Sequence, residues 1–332
     1  MIRFPHTAAE AAAAAGSYRA GATDLHERRR LGIVGGPVTD LRDVEELTGV
    51  AAREGGTWIG ALTRVAAIAE APELVGYPGL ARSAGALATP QIRAMATLGG
   101  NLLQQVRCWY YRHPEIRCLR GGGDRCYARE GDHLFHACFD LGPCVAPHPS
   151  TIGMALLTYG ATAEYQTATG PGSMSLEALY GGGEDPRRTH RLPEGALLTG
   201  VVLPPPSPGE QAAYFRATSR ARAEWPLVEA LARLVIEGGA IKEAHVAIGG
   251  VATVPLRLSR VEAALVGVAP DDRALAAAAA LSAEGARPLP NTQYKVELIP
   301  RVVLEALERA RASAPAPAAA PAPTTGQEEV EE

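Results

Sequence analysis

All five cysteines of the 332-residue chain fall between Cys108 and Cys144. A secreted disulfide framework shows an even count spread over a short chain, whereas this chain is long and its count is odd. One segment must therefore fold around a metal or iron–sulfur site in a reducing compartment, or else bury a group of free thiols as small hydrophobes. No C-x-x-C pair is present to choose between them. The segment Arg107–Pro149 also holds four of the eight histidines and the run Gly121–Gly123. It has no clear periodicity, and a loop that long is uncommon unless functional.

The rest of the composition is that of a soluble protein of two or three domains, 47% hydrophobic and 20% charged. The formal charge of −4 equals that of Glu328, Glu329, Glu331 and Glu332 alone. A neutral body lacks the basic face that nucleic acid or an anionic membrane would require. No apolar run reaches the roughly 18 residues of a membrane span, and the N-terminus has no signal-peptide pattern, so a cytoplasmic location is expected.

Local patterns predict a helix over Ala8–Gly16, strands at Val38–Leu41 and Thr57–Ile59, and a helix from Gly60–Thr63 through Ala71. A helix follows over Gly79–Ala88, and a new element starts at Pro90 and runs to a turn at Thr97–Asn101. Ala155–Gly160 reads as the end of a helix and Ala161–Gln166 as a strand. Pro204, Pro205, Pro206 and Pro208 mark a domain boundary. Beyond it come strands at Ala212–Ser219, Leu227–Glu237 and His245–Gly249, then helices at Arg260–Val266, Arg273–Ala283 and Tyr294–Arg311. The tail from Ala312 is Ala/Pro-rich and then acidic, and disorder is expected.

Two small-residue turns, Ala20–Leu25 and Leu98–Asn101, share a chemistry. Their backbones can approach an anion, and successive N–H groups can form a nest for phosphate oxygens. Thr23 adds a hydroxyl donor, Asn101 an amide donor, and a following helix its positive end. Neither is G-x-G-x-x-G and no P-loop occurs, so a Rossmann or P-loop reading fails. Taken singly, each is more often an ordinary chain reversal.

The runs Ile59–Thr63 and Pro90–Gln104, with Thr97-Leu98-Gly99-Gly100-Asn101 at the centre of the second, closely resemble the FAD-binding medium subunit of the molybdenum hydroxylases. That family includes xanthine dehydrogenase, carbon monoxide dehydrogenase and aldehyde oxidoreductases, and the resemblance covers about residues 20–311. It implies an α+β fold with a vanillyl-alcohol oxidase-like FAD-binding domain in two subdomains (1–55 and 56–205), an insertion at about 105–149, a smaller α+β C-terminal domain (206–311) and a tail (312–332). The resemblance assigns Ala20, Gly21, Ala22, Thr23, Asp24 and Leu25, with Thr97, Gly99, Gly100 and Asn101, to the FAD diphosphate. It places Leu87 and Ala88 at the flavin or adenine, Gln104 near the diphosphate, Leu197 against FAD, and Arg216 where a relative has a lysine close to the cofactor. On the residues alone, Leu197 is equally a core leucine and Arg216 a solvated charge. Two departures stand out. Ala22 replaces a glycine of the usual turn, and the family's Ser-Asp pair appears as Ser150-Thr151. Thr151 brings no carboxylate, so one ribitol or ribose hydrogen bond must come from elsewhere.

The insertion resembles that of a subset typified by 4-hydroxybenzoyl-coenzyme A reductase and a three-subunit aldehyde oxidoreductase, where it carries a [4Fe–4S] cluster. Arg107–Tyr111, Arg117-Cys118, Arg125-Cys126 and Cys144–Ser150 carry this likeness. It implies Cys108, Cys118, Cys126 and Cys144 as ligands and Cys138 as a spare buried thiol. Arg107, Arg117 and Arg125 are expected to offset the cluster's charge, and Gly121–Gly123 to let backbone N–H groups reach a sulfide. A zinc site using His133 and His136 is the alternative.

The implied function is an electron-relay subunit in a heterotrimer. Molybdenum cofactor and [2Fe–2S] clusters lie on partner subunits, and FAD passes electrons to an external acceptor. No general acid–base pair is expected in this chain, and co-export with a partner keeps the periplasm open. The rivals are electrons entering through the [4Fe–4S] cluster, as in the benzoyl-coenzyme A reductase, a stand-alone FAD oxidase, and a zinc-stabilised module that has lost FAD.

Overall fold

The computed structural model describes residues 1–14, 16–53, 55–221 and 223–316. An N-terminal parallel sheet is formed by β1 (Ile2–Arg3), β2 (Ser17–Arg19) and β3 (Val38–Asp40) in the order β1-β3-β2. The helix between β1 and β2 spans Ala8–Ala13, where Thr7 Oγ1 accepts from Glu10 N at 3.1 Å. It stops short of the predicted end at Gly16. Its Ala11 and Ala12 pack with Leu41, Val44, Leu47 and Leu197, which ties this sheet to the next.

The second sheet is antiparallel, with β4 (Val50–Arg53), β5 (Gly56–Gly60), β6 (Thr162–Thr167), β7 (Gly170–Ser175) and β8 (Leu197–Leu203) in the order β4-β5-β8-β6-β7. Between β5 and β6 run short helices, among them Val65–Glu70, Pro78–Ala86, Pro90–Met95 and Leu98–Leu102, and then the cysteine-bearing loop. The predicted helix over 60–71 is shorter because Gly60 ends β5 and pairs with Gly200. The helix Thr151–Thr158 is buried along its whole length and packs against the helix Pro78–Ala86 as well as the third sheet, which explains its lack of a polar face.

The third sheet is antiparallel, with β9 (Glu210–Ala217), β10 (Val228–Glu237), β11 (Ala240–Gly249) and β12 (Leu256–Arg257) in the order β12-β11-β10-β9. The helix Gln293–Ala312 packs across β9 and β10, and Ile299, Val302, Val303, Ala306 and Leu307 enter the core. Disorder was expected from Ala312, but the chain is ordered through Ala316, which is buried and whose N–H donates to Glu210 O at 2.7 Å. Residues 317–332 lie outside the described residues. Among the described residues no helix is long and apolar enough to cross a membrane.

Candidate functional site

Two small-residue segments meet at the floor of a cleft. Residues 20–24 leave β2 and enter the helix Leu25–Arg30, and residues 97–101 follow the helix Pro90–Met95. Gly21 permits the contact, because a Cβ there would lie 1.8 Å from the carbonyl oxygen of Met95. Ala22 follows at φ 56°, in the left-handed region, which costs an L-residue roughly 1–2 kcal/mol. Ala88 is held likewise at φ 48°.

The two segments do not offer the same donors, which corrects the expectation of two equivalent nests. In the second, Leu98 N donates to Thr63 O (2.9 Å), Gly99 N to Ala61 O (2.8 Å) and Gly100 N to Thr97 Oγ1 (3.2 Å). It is the capped start of the helix Leu98–Leu102, with its amides satisfied inside the protein. In the first, the backbone N–H groups of Gly21 to Asp24 have no hydrogen-bond partner among the described residues, and all four residues line the cleft. Open donors thus stand on one wall. The other wall is Gly99 and Gly100, which bring no side chain.

The cleft encloses about 590 Å³, with Arg28 and Arg188 on its lining. A second cavity of about 240 Å³ shares Thr23, Asp24, Gly100 and Gln104 with it and continues to Leu87, Ala88, Asn101, Thr151 and Arg216. Ala20, Leu25, Thr97 and Leu197 line the larger cleft. Ser150 is the one sequence-predicted cofactor residue that lines neither cavity. Its hydroxyl donates to Asn101 Oδ1 at 2.8 Å and accepts from Gly153 N at 2.8 Å, so it joins the second segment to the buried helix. His190, also on the cleft, carries a buried Nδ1 with no partner among the described residues and is pushed down to about 4 by burial, so it is neutral.

Asp24 is a fastener more than an acceptor for a ligand. Its carboxylate receives Arg112 at 2.6 Å, Arg28 at 2.8 Å, the Gln105 N–H at 3.2 Å and Arg107 at 3.3 Å. Burial alone would raise its pKa, but Arg107, Arg112 and Arg28 together hold it below the usual carboxylate range. Thr151 lacks a carboxylate, and β10 brings one to it: Thr151 Oγ1 donates to Glu229 Oε2 at 2.8 Å, as does Tyr214 OH at 2.6 Å. Glu229 is 1% exposed, and burial raises its pKa against those two hydrogen bonds. The sequence reading passed over Glu229, although a lone carboxylate inside an apolar strand was the signal.

The cysteine loop packs beside this cleft. Cys108, Cys118, Cys126 and Cys144 line one small cavity of about 10 Å³, whereas Cys138 is fully buried in the core of the third sheet. Cys126 hydrogen-bonds to Cys144, and that bond, with Arg120 close by, pulls the Cys144 thiol down. Burial pushes Cys108 up to about 11. Among the described residues no three potential ligands converge in metal-binding geometry. The donor chemistry nevertheless fits a cubane. Four cysteines line the same cavity, and Arg120, only 7% exposed, also lines it with Nε and Nη1 unpartnered among the described residues.

Arg120 is the arginine that lines the cysteine cavity, whereas two of those expected there from the sequence are engaged elsewhere. Arg107 pairs with Asp24 and Glu27, and Arg125 lies exposed over the Tyr127 ring. Of the glycines, Gly123 closes the turn, donating to Cys118 O at 2.8 Å where a Cβ would meet Arg117 O at 1.9 Å. His133 is an unsuitable zinc ligand, since Nδ1 meets the carbonyls of Gly131 (2.7 Å) and Ala128 (3.0 Å) and Nε2 accepts from Asn291 N (3.1 Å). His136 Nε2 lies 3.2 Å from Cys108 Sγ, and burial holds this imidazole neutral with a pKa of about 4.

Residues 5–206 match the family model described as the FAD binding domain in molybdopterin dehydrogenase, and residues 213–310 match the CO dehydrogenase flavoprotein C-terminal domain. The chain belongs to this FAD-binding molybdopterin dehydrogenase family. The aldehyde oxidoreductase FAD-binding subunit PaoB of Escherichia coli K12 is 34% identical over 264 residues, covering 78% of this chain and 79% of its own. The carbon monoxide dehydrogenase medium chain of Afipia carboxidovorans is 27% identical over 283 residues, 83% of this chain and 81% of its own. Among solved structures, a Cu,Mo-CO dehydrogenase shares the fold at a TM-score of 0.73 and 23% identity, over 94% of this chain and 97% of that one. Quinoline 2-oxidoreductase from Pseudomonas putida 86 does so at 0.73 and 21%, over 94% and 96%. In this family member the two matched segments meet at the proline-rich stretch, and the cleft lies wholly within the first match.

Proposed function

We propose that this chain is the FAD- and [4Fe–4S]-carrying electron-transfer subunit of a molybdenum hydroxylase complex that oxidises an aldehyde on another chain, with the [2Fe–2S] clusters on a third. In this reading residues 1–55 and 56–205 are the two halves of a vanillyl-alcohol oxidase-like FAD domain, about 105–149 is the cluster loop and 206–311 is the C-terminal domain. The observation that carries it is the grouping of Cys108, Cys118, Cys126 and Cys144 around one cavity with Arg120, beside a cleft whose open amides suit a diphosphate. The likeness to PaoB supports the aldehyde class.

When bound, FAD exchanges electrons singly or in pairs and so matches one-electron clusters to a two-electron acceptor. The protein's part is to hold it. The Gly21–Asp24 amides receive the diphosphate, with Ala20 and Leu25 shaping the turn, while Gly99 and Gly100 let it approach and Thr97 keeps that wall rigid. Asn101 and Gln104 flank the diphosphate. Leu197 would pack on the cofactor, Leu87 and Ala88 would line its flavin or adenine, and Arg216 would lie close to it. Ser150 positions Asn101, and Thr151, oriented by Glu229, faces the sugar alcohol. Four thiolates complete the cluster's ligation, and Arg120 offsets its charge.

A visible spectrum and iron analysis of protein purified without oxygen test this. Flavin bands with a broad iron–sulfur shoulder and about four irons per chain are expected, and a colourless, iron-free protein refutes it. Cys108→Ser and Cys144→Ser should lose the iron while Cys138→Ser keeps it. Loss of iron from the Cys138 variant overturns the ligand set.

A further inference from the structure

We infer that Arg107 and Arg112 couple the cysteine site to the cofactor cleft, so that loading either one strengthens binding at the other. The inference rests on the two-cofactor reading above. Arg107 directly precedes Cys108, and Arg112 closes the short helix that Cys108 begins, with its N–H bonded to Cys108 O at 3.0 Å. A shift of Cys108 therefore carries both guanidinium groups with it. Arg112 reaches Asp24 Oδ1 and Glu27 Oε2, each at 2.6 Å, with its side chain only 8% exposed. Its remaining donors are fixed by Val106 O at 2.9 Å and Gln105 O at 3.2 Å. Arg107 reaches Glu27 at 3.0 Å and Gln104 Oε1 at 3.3 Å.

Asp24 ends the segment whose open amides line the cleft, and Glu27 sits one turn further along its helix. Of the three cations that hold Asp24, only Arg28 comes from its own helix, and the other two come from the cysteine loop. The loop's geometry at Cys108 thus sets the position of the phosphate-facing amides. A buried guanidinium that bridges two carboxylates with charge-assisted hydrogen bonds has little freedom to absorb a displacement. Arg107 and Arg112 are positioning residues, acting on the cofactor through Asp24 and Glu27. Linkage makes the effect reciprocal.

The test uses the full-length chain, handled anaerobically, with iron content and FAD dissociation constant measured on the same samples. Cys118→Ser lies away from the clamp. It should lose iron and bind FAD about tenfold more weakly than the iron-loaded native chain, in the usual range of coupling. In an Arg112→Gln background the same cysteine change should alter the FAD constant by less than about twofold. Glu27→Gln, a milder partial break, should give an intermediate ratio and serves where Arg112→Gln does not fold. In the reverse direction, added FAD should slow iron loss to a chelator in the native chain but less so in Glu27→Gln. Iron present with an FAD constant that ignores it overturns the coupling alone, as does an undiminished ratio in Arg112→Gln and Glu27→Gln. A native chain without iron overturns the two-cofactor reading, and the coupling falls with it.

Discussion

Gly21→Ala is the sharpest test of how the cleft is built. The added Cβ would lie 1.8 Å from Met95 O and 2.7 Å from its carbonyl carbon. Carbon–oxygen contacts begin near about 3.3 Å, so the two segments must part by roughly 1.5 Å. Met95 O cannot swing away, because it accepts from Arg64 Nη1 while the next carbonyl, of Ala96, accepts from Val65 N at 2.9 Å. The segment at 20–24 has to retreat, taking its open amides with it. Overpacking against a rigid neighbour costs about 1–3 kcal/mol, and a surface turn that can slide belongs at the low end for stability. For the cofactor the loss is larger, since one displaced charge-assisted hydrogen bond is worth about 1.5–3 kcal/mol. Flavin-fluorescence titration of cofactor-free protein should therefore show FAD bound ~30-fold more weakly, about 2 kcal/mol, with a melting temperature lowered by only a few degrees. Gly36→Ala is the matched control. Gly36 has φ 80° and nothing within 4 Å of its Cβ position, so alanine loses backbone energy there without touching the cleft. It should lower the melting temperature similarly and leave FAD affinity unchanged. Binding by Gly21→Ala within threefold of native would refute the argument that this contact sets the amides.

Other expectations concern stability. Arg233 is buried against Glu210, with side chains 5% and 1% exposed, and also bonds Thr158 O. Arg233→Met should cost about 3–5 kcal/mol in chemical denaturation by stranding the Glu210 charge, whereas Arg53→Gln, in the exposed pair with Glu164, should stay within about 0.5 kcal/mol. His148 and His190 are held at about 3 and about 4 by burial. Their ordinary value is about 6.5, so between these limits the unfolded chain binds more protons. Each should then remove roughly 1.4 kcal/mol of stability per pH unit as pH falls below about 6.5. Denaturation midpoints at pH 7, 6 and 5 should show this slope, and His148→Gln should flatten it. Asp24 works further down: its stabilisation is complete above about pH 4 and is lost as pH falls through its lowered folded value, so Asp24→Asn should remove that acid limb from a pH titration of the melting temperature.

What could be read from the sequence follows from the range over which each signal acts. Helical periodicity is local, and it placed the helices at Ser259–Leu265, Asp272–Ala280 and Gln293–Ala312 within a few residues. The two edge strands of the second sheet gave no such signal. β4 is largely exposed on both faces and so shows no alternation, and β7 reads as a turn because it carries Gly170, Pro171 and Gly172. An edge tolerates these residues, and Gly172 is needed there because the Tyr165 ring lies over it, 2.5 Å from where a Cβ would be. The two small-residue segments were legible for the same local reason. Which of them keeps free amides was not, since that depends on Ala61 and Thr63, over thirty residues away, supplying carbonyls to one and no described residue supplying them to the other.

The charges show the same limit more strongly. Arg107, Arg117 and Arg125 adjoin cysteines in sequence, and adjacency suggested that they would serve the thiols. Adjacent residues on an extended backbone point to opposite sides. Arg107 accordingly turns from Cys108 toward Asp24, and Arg120, two residues past Cys118, enters the cysteine cavity. Arg112 and Glu229 act on residues 88 and 78 positions distant, so no single-sequence pattern could have assigned them. Both nonetheless bear on the two departures from the family's turn chemistry. Asp24 stays fixed beside the strained Ala22 because the cysteine loop holds it, and Thr151 gains its carboxylate from a different domain. A cleft that had merely lost flavin binding would have no reason to keep either compensation buried. Replacing Glu229 by Gln should therefore weaken FAD binding several-fold while Tyr214→Phe, which leaves the Thr151 bond intact, weakens it less; equal affinities in both variants and the native chain would show that the carboxylate serves only the core.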